Sequence, residues 1–356
     1  MSRPKHTFPT NTHTVYQTDV PDTFRAVPGD AILRLATDAQ QVPPGVLDAE
    51  MERAVTAWVM ARGERTLRLN GAERAVAPSD LDRPPGGAVR RVVSIAPSNA
   101  EIVGALGATD LLVGTESSSD YPPVVNTLPR VGPDLAVDVE QVAALEPDLV
   151  LASLSVPGME RNIAALEQAG LRYLVLAPRT IADIRADIRR VGEAIGYADA
   201  ARGVVADMDE RLQRLQAEAA EHAPVPVYLE WWPKPMFTPG HACWSNELIA
   251  LAGGRNIFAD LPGQSGEVTA EQVSAADPDV IFLSWCGVPF EKLNPQRVLQ
   301  REGLTNVSAI RSGRVVPVDE SLLGRPGPRV LEGVARMAEV IREARSGREA
   351  ERSAAQ

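Results

Sequence analysis

Aromatic side chains that could hold a flat, apolar ligand are concentrated in one part of this sequence. Aromatic residues make up only 4% of the 356 residues, yet four of the five tryptophans lie between residues 231 and 285. They are Trp231, Trp232, Trp244 and Trp285, and each follows a predicted strand. Tyr121 occupies a comparable loop nearer the amino terminus. Because loops after the carboxyl ends of strands form the ligand crevice of open α/β sheets, we predict that these rings line a binding site.

Each ring also has a purely structural interpretation. Tyr121 could anchor a packed loop, Trp285 could belong to the core of a lobe, and Trp244 could pack the start of its helix. Trp231 and Trp232 are adjacent, so their side chains point in opposite directions in an extended chain. We therefore expect one of these two in a core and the other facing a ligand.

One histidine and two cysteines are candidates for metal ligands. His241 lies in a Gly-containing loop and is the more chemically versatile of the three, whereas Cys243 and Cys286 could equally be inert small side chains. Two cysteines exclude a disulfide scaffold, although a single bridge between them stays open. No metal held by protein ligands is expected apart from the weak candidate His241.

Composition excludes several classes of function. The net charge is −11 and no Lys/Arg-rich cluster occurs, which argues against nucleic acid as a partner. No run of ~18 apolar residues exists, so no membrane span is expected. The sequence has no catalytic Ser/His/Asp set, no phosphate-binding loop and only four His, so a binding protein is favoured over an enzyme. We expect a monomer.

The first residues bear on the cellular compartment. Polar residues and Pro interrupt every apolar run before Ala31, so neither a secretory signal nor a lipid-anchoring Cys is recognised there. If Met1 is the true start, this predicts a cytoplasmic protein. A periplasmic or extracellular protein is predicted only if the true start differs.

A duplicated stretch determines the predicted fold. Residues 140–151 and 271–282 both read as a short helix, a Pro-Asp turn and a buried strand, and their offset is constant because 271 − 140 = 131 and 279 − 148 = 131. Two such copies predict two lobes of similar build with a ligand held between them. Short βαβ links within each lobe predict mostly parallel, Rossmann-like sheets, and hence an α/β fold.

The predicted organisation has five parts. A small N-terminal α+β appendage of unknown function contains a strand, a helix and a hairpin, and Asp80–Gly87 links it to the first lobe. Residues 180–220 have a helical apolar stripe without Pro, which predicts one long helix spanning ~60 Å between the lobes, or two helices broken near Gly196. The parts are the appendage and linker 1–88, the first lobe 89–178, the long helix 179–222, the second lobe 223–345 and a frayed tail 346–356.

Residues 90–344 resemble the substrate-binding proteins of metal-chelate importers, the ABC-importer class for siderophores, haem and vitamin B12. Arg-Val-Val-Ser-Ile-Ala-Pro-Ser-Asn-Ala-Glu-Ile-Val-Gly-Ala-Leu-Gly-Ala, from Arg91, is similar to that family's opening strand and helix. Asp120–Pro123 and Arg325–Arg329 are most similar to its cobalamin-binding branch. The resemblance implies reversible binding of cobalamin or a related corrinoid, with His241 as a candidate cobalt ligand. A ferric siderophore or haem, or a cytoplasmic corrinoid-handling enzyme, are the alternatives.

The resemblance also implies a docking role for two acidic residues. In the family, one acidic residue in each lobe binds arginines of the membrane permease, and Glu140 and Glu271 occupy the matching positions in the two copies of the repeat. The alternative is local, because Asp138 with Gln141 and Thr269 with Gln272 have the spacing of helix capping boxes, and acidic residues in a first turn offset the helix dipole.

Overall fold

The computed structural model of the chain divides into two compact units, each with its own parallel sheet. The first unit contains the described residues up to Arg179 together with Ala186–Arg202. The second contains Thr180–Arg185 together with the described residues from Gly203 onward. The predicted strand Ala31–Ala36 and the predicted Asn70-Gly71 turn lie outside the described residues. The described residues are 49–62, 64–69, 72–84 and 86–354.

The first unit is built around a parallel sheet in the order β4-β3-β5-β6, with a separate antiparallel hairpin of β1 and β2. Strands β3, β5 and β6 are buried along their whole length, as expected for parallel strands covered on both faces. Its elements are α1 (Ala49–Ala61), β1 (Thr66–Leu69), β2 (Ala72–Ala75), β3 (Val92–Ser94), α2 (Pro97–Ala105), β4 (Leu112–Thr115), α3 (Val139–Ala144), β5 (Leu149–Ser153), α4 (Glu160–Gln168) and β6 (Tyr173–Leu176).

The stretch predicted as one long helix forms two, α5 (Ile181–Ile195) and α6 (Ala198–Ala220), so the single-helix prediction is wrong and its alternative is correct. The break falls at Gly196, which has φ +81°. The amide of the next residue, Tyr197, donates to the Gly192 carbonyl at 2.7 Å. A glycine in the left-handed region followed by a back-bonded amide is a common helix stop.

The second unit repeats the topology of the first. Its parallel sheet has the order β10-β7-β12-β13. In both parallel sheets, the strand that comes first in the chain (β3 or β7) lies between the strands that come second and third. Its elements are β7 (Val225–Glu230), β8 (Trp232–Pro233), β9 (Met236–Pro239), α7 (Ser245–Leu251), β10 (Gly254–Asn256), β11 (Ser265–Val268), α8 (Ala270–Ala276), β12 (Val280–Leu283), α9 (Gln296–Leu299), α10 (Ser308–Arg311), β13 (Val315–Pro317), α11 (Glu320–Leu323) and α12 (Val330–Ala354).

The prediction of two similar α/β lobes with parallel sheets is therefore confirmed. The second unit adds an antiparallel sheet, β11-β9-β8, to the shared plan. The duplicated stretch forms α3 with β5 and α8 with β12. Even the turns correspond, because Glu146 (φ 46°) and Asp277 (φ 43°) each adopt a left-handed conformation immediately before a proline.

The appendage is packed on the first lobe and shares its core. Val59, Met60 and Leu67 are fully buried in one cluster with Val150 and Leu166 of the lobe. A helix such as α1, buried from Val55 through Ala61, needs apolar neighbours on several sides, which the lobe provides.

Part of the predicted linker also docks on this lobe. Arg83 and Tyr173 exchange backbone hydrogen bonds of 2.8 and 3.0 Å, which extends the sheet beyond β6. The Asp82 carboxylate accepts the Val175 amide at 2.9 Å and pairs with Arg190 at 2.7 Å.

The last helix continues past the predicted end at Ala344. Helix α12 reaches Ala354, because the polar residues 345–354 include several strong helix formers and no proline. In the described part of the chain, no helix combines the length and apolar composition needed to cross a membrane.

Candidate functional site

Exposed apolar side chains mark the same edge of both sheets. Within the described residues, six large hydrophobic side chains are exposed, and each lies in a connection that leaves the carboxyl end of a parallel strand. They are Tyr121, Val124 and Leu135 after β4, Val156 after β5, Trp232 after β7 and Phe290 after β12. Ligands of open α/β sheets bind outside the carboxyl ends of the strands, so these connections form a candidate ligand-binding surface on each unit.

In the first lobe, Tyr121 is carried by a loop with a rigid base. It is 39% exposed. Upstream, the buried Glu116 carboxylate accepts hydrogen bonds from the Ser118 amide and the Ser119 hydroxyl. The Arg130 guanidinium donates to the carbonyls of Glu116 and Ser119 at 2.9 and 2.8 Å. Burial raises the pKa of Glu116, although the two hydrogen bonds oppose that shift.

The rest of this edge is lined by small hydroxyl groups. Ser94 and Ser153 end β3 and β5, and Ser98 lies in the first turn of α2. All three are buried. The Ser153 hydroxyl donates to Ser155 Oγ at 2.9 Å, and the Asn99 amide group donates to two carbonyls of β5 at 3.0 and 3.1 Å. The edge of the first lobe therefore combines exposed apolar side chains in its loops with a polar, closely hydrogen-bonded base at the strand ends.

The corresponding edge of the second lobe is built on a buried carboxylate with large partners. Glu230, at the end of β7, is 0% exposed and pairs with Arg301, whose second nitrogen donates at 3.0 Å. The same carboxylate accepts the Trp285 indole at 3.1 Å and the Tyr228 hydroxyl at 3.2 Å. Burial raises the pKa of Tyr228, with Glu230 adding to the shift. The carboxylate is thus hydrogen-bonded on both oxygens, as a buried charge requires.

This network favours the structural interpretation of Trp285, as part of the core of its lobe. Its side chain is only 2% exposed and belongs to the core cluster of the second lobe, so it has almost no surface to offer a ligand. Its position at a strand end suggested a contact, but the indole points at Glu230 instead. The sequence alone gives no signal of this partner, since Glu230 and Trp285 are 55 residues apart.

The other predicted aromatic residues of this lobe remain at or near the surface. Trp232 is 42% exposed, and its indole donates to the Lys234 carbonyl at 3.0 Å. Trp231 is half-buried, and its carbonyl accepts the Cys286 amide at 3.1 Å. Trp244 is also half-buried, at the N-cap position of α7.

His241 and the two cysteines lie near these loops. His241 is exposed, and its amide donates to the Leu261 carbonyl at 2.7 Å. Cys243 is buried, Cys286 is exposed, and no disulfide joins them. Although Cys286 is exposed as a residue, desolvation by the atoms packed around its thiol, and then the nearby Glu320 carboxylate, raise the pKa of that thiol to about 11. Within the described residues, no three His, Cys, Asp or Glu side chains are grouped to hold a metal ion.

Several site residues were not predicted. Phe290, at 45% exposed, is the second prominent ring of the second lobe, and Val156 and Leu135, each 43% exposed, accompany Tyr121 in the first. A lone Phe between prolines or a single aliphatic residue in a loop carries no distinctive spacing. Their only signal would have been their position immediately after predicted strands.

Glu140 and Glu271, the predicted docking residues, are both exposed. The capping box predicted from the spacing forms at α8, whereas α3 is capped by the Asp138 carboxylate alone. The Asp138 carboxylate accepts the amides of Glu140 and Gln141, each at 3.1 Å, and Thr269 forms a complete capping box with Gln272. A hydrogen bond with Thr269 lowers the pKa of Glu271, so this carboxylate is ionised at neutral pH. Capping is therefore performed largely by other residues, and both glutamates stay accessible.

The chain has relatives among known proteins. The sequence profile described as "Periplasmic binding protein" matches residues 92–322. A Bacillus subtilis protein named uncharacterized ABC transporter substrate-binding lipoprotein YvrC is 33% identical over 258 residues, which covers 71% of this chain and 80% of that protein. The vitamin B12-binding protein of Vibrio cholerae strain M66-2 is 30% identical over 259 residues, covering 73% of this chain and 91% of that protein.

Solved structures of other binding proteins have a similar fold. The periplasmic vitamin B12 binding protein BtuF of Vibrio cholerae matches with a TM-score of 0.63 and 29% identity, covering 72% of this chain and 98% of that chain. The periplasmic heme-binding protein RhuT from Roseiflexus sp. RS-1 matches with a TM-score of 0.65 and 26% identity, covering 72% and 99%. With a profile match over more than half of its length, this chain belongs to the periplasmic binding protein family, and it is a binding protein rather than an enzyme.

Proposed function

We propose that this protein reversibly binds cobalamin or a related corrinoid and delivers it to an ABC-type importer. The observation that carries the proposal is the placement of every exposed large hydrophobic side chain of the described residues in connections from strand carboxyl ends. A corrin is a wide, flat macrocycle with apolar faces and an amide-bearing rim. Exposed rings suit its faces, and hydroxyl-rich loops suit its amides. Relatives named as vitamin B12-binding proteins support the same ligand.

In this proposal, Tyr121, Trp232 and Phe290 are the principal aromatic contacts, because they combine a ring with high exposure. Trp231 and Trp244 are half-buried and contribute through their exposed edges. His241 is exposed in a neighbouring loop and is the one predicted site residue that could reach a cobalt ion.

Haem or a ferric siderophore is the second candidate, favoured by the likeness to solved heme-binding proteins such as RhuT. Anionic chelates are usually met by arginine or lysine. Three arginines, Arg179, Arg255 and Arg325, are candidates for meeting an anionic chelate. Arg179 donates to the Met60 and Ala61 carbonyls at 3.0 and 3.2 Å, so its guanidinium is already engaged. Arg325 is half-buried. Arg255 is exposed in β10. Because few of these arginines are free to meet an anionic chelate, a corrinoid with its neutral rim is favoured as the ligand.

Titration of the full chain with cyanocobalamin and, separately, with hemin tests the proposal. Quenching of tryptophan fluorescence and calorimetric heat should both saturate with cyanocobalamin at concentrations of tens of micromolar or below. Saturation with hemin alone would assign the second candidate. Absence of heat and of a spectral change with either compound would refute binding of both.

Export and docking form part of the proposal. Relatives are named as lipoprotein or periplasmic proteins, which supports a site of action outside the cytoplasmic membrane rather than the cytoplasmic location expected for a start at Met1. We propose that Glu140 and Glu271, both exposed, contact the permease. Fractionation of the native source tests the compartment, and loss of uptake with unchanged ligand affinity in Glu140→Ala and Glu271→Ala tests the docking role.

A further inference from the structure

A cavity lies at the opposite edge of the second lobe, by the amino ends of β7 and β10. Its volume is about 220 Å³, and it is enclosed by the end of α6, the end of α7 and one face of α12. Gly253 forms part of its floor, and the Gly253 carbonyl accepts the amide of Val225, the first residue of β7. The cavity is therefore separate from the loops that carry Trp232 and Phe290.

The wall of this cavity is apolar and continuous across three helices. Leu215 of α6, Leu251 of α7 and Ile341 of α12 supply branched side chains, and Ala219 and Ala338 leave space between them. Such a surface binds a hydrocarbon tail or ring by excluding water from it. The free volume is sufficient for a small organic molecule, although it falls below that of most drug-sized sites.

One side of the cavity carries an arginine that is not fully satisfied. Arg345 lines the cavity, and its Nε atom is buried without a hydrogen-bond partner among the described residues. Buried donors in folded proteins nearly always have a partner, and one without a partner calls for an explanation. Gly253 leaves the room for this guanidinium, because a Cβ there would lie 3.0 Å from Arg345 Nη2.

The remaining charges largely cancel. Glu218 and Arg342, both exposed, form an ion pair of 3.2 Å at the mouth. Glu221 and His222 are exposed at the same mouth. Arg345 is thus the cation placed against the apolar wall.

We propose that this cavity binds a small organic carboxylate with an apolar tail. The carboxylate accepts hydrogen bonds from the Arg345 guanidinium, and the tail lies against Leu215, Leu251 and Ile341. Arginine binds carboxylates with a planar, two-point geometry, and such charge-assisted hydrogen bonds are stronger than neutral ones. The proposal is independent of the ligand at the other edge.

The test uses 4-phenylbutyrate as the probe and 4-phenyl-1-butanol as its neutral counterpart, with the full chain. Ligand-observed NMR should show saturable binding of the carboxylate with a Kd on the order of 1 mM, as expected for about a dozen heavy atoms. The alcohol should bind at least about tenfold more weakly, because it cannot form the charge-assisted hydrogen bonds.

Three variants locate the binding. Arg345→Gln should weaken 4-phenylbutyrate about tenfold or more, and Ala219→Leu should abolish its binding by filling the cavity from a half-exposed position. Arg336→Gln is the matched control, since Arg336 lies on the same helix, is 64% exposed and does not line the cavity. Circular dichroism melts confirm that each variant is folded.

The alternative is that Arg345 only complements the negative end of α7, at its carboxyl terminus. In that case Arg345→Gln lowers the melting temperature, but the unaltered protein shows no saturable binding of 4-phenylbutyrate, and the proposal is overturned. Equal binding of the acid and the alcohol, or equal loss in Arg345→Gln and Arg336→Gln, would overturn it as well. Cyanocobalamin affinity should be the same in all three variants, which keeps this test separate from that of the main site.

Discussion

The two lobes share a topology, yet their carboxyl edges are built from different chemistry. In the first lobe a buried glutamate, Glu116, is held by a backbone amide and a serine hydroxyl among other small polar groups. In the second lobe a buried glutamate, Glu230, is held by a guanidinium, an indole and a phenol. The two lobes therefore both have a buried carboxylate-centred network near their carboxyl edges, while the groups that hold the carboxylate are small and polar in one lobe and large in the other.

The largest effect should come from breaking the buried ion pair of the second lobe. Arg301→Met leaves the Glu230 carboxylate, at 0% exposed, without its counter-ion, so we expect a loss of about 3–5 kcal/mol in the free energy of unfolding. Urea denaturation measures it, with Arg336→Gln as the control because that exposed pair is worth at most about 1 kcal/mol. Restoration of stability in Glu230→Gln/Arg301→Met would confirm the cause, and a loss below about 1 kcal/mol would contradict it.

The second effect concerns the thiol of Cys286, in the loop that follows β12 of the second lobe. A pKa of about 11 for Cys286, against an ordinary value of 9.0, lowers its thiolate fraction at pH 8 by about 100-fold. Iodoacetamide should therefore alkylate it about tenfold more slowly than N-acetylcysteine at pH 8, because the greater nucleophilicity of a less acidic thiolate offsets part of its lower fraction, and the rate should rise until about pH 11. Glu320→Gln should speed the reaction, because it removes a charge that opposes the thiolate. A rate equal to that of the small thiol at pH 8 would show that the site is not desolvated.

The third effect compares the exposed rings with the buried one. Trp232→Ala should weaken cyanocobalamin binding about tenfold or more while leaving the free energy of unfolding within about 0.5 kcal/mol, because the ring is exposed. Trp285→Phe should lower the free energy of unfolding, since it removes the indole hydrogen bond to Glu230. It should leave cyanocobalamin affinity nearly unchanged, since the buried ring offers a ligand little surface. Calorimetry and urea denaturation of both variants separate the two roles. A larger loss of affinity in Trp285→Phe than in Trp232→Ala would invalidate the assignment of the contact ring.

The smallest effect compares the two matched turns. Glu146 and Asp277 both have positive φ, but the Asp277 carboxylate also accepts the Ser308 amide at 2.7 Å and its hydroxyl at 2.9 Å. Glu146→Gly should raise the free energy of unfolding by about 0.5–1 kcal/mol, because glycine adopts this conformation without strain. Asp277→Gly should give no gain, since the relieved strain is offset by two lost hydrogen bonds. Equal gains at both positions would show that the Ser308 contacts contribute nothing.

Much of the fold was predictable because its periodicity is local. Both copies of the duplicated stretch form the short helix and the strand that the sequence predicts, and the repeat offset reappears in the backbone conformation before each proline. The antiparallel sheet of the second lobe was only partly predictable, since β8 has two residues and includes a proline. The break at Gly196 was harder to predict from the sequence. The glycine favours a helix end at that position, but the apolar stripe of residues 180–220 continues across it.

The site was harder to predict, because exposure is a property of the whole packing arrangement. The position of Trp285 after a strand suggested a ligand contact, and only the distant Glu230 explains why the ring is buried. Phe290, in contrast, is exposed, and the residues next to it in the sequence give no signal that distinguishes an exposed ring from a packed one. Strand ends are therefore predictable from sequence, whereas the roles of the side chains on them depend on partners far along the chain.

The backbone pairing between Arg83 and Tyr173 has a consequence for any shortened form of this protein. The family match begins at residue 92, so cutting the chain there looks natural, yet the cut would expose the hydrogen-bonding edge of β6 and the apolar surface beneath α1. An uncovered strand edge beside an apolar face is a template for intermolecular sheet growth. The described residues between Ala49 and Arg83 thus cover the edge of β6 and an apolar surface of the first lobe, and we expect a protein that starts at residue 92 to aggregate more readily than the full chain.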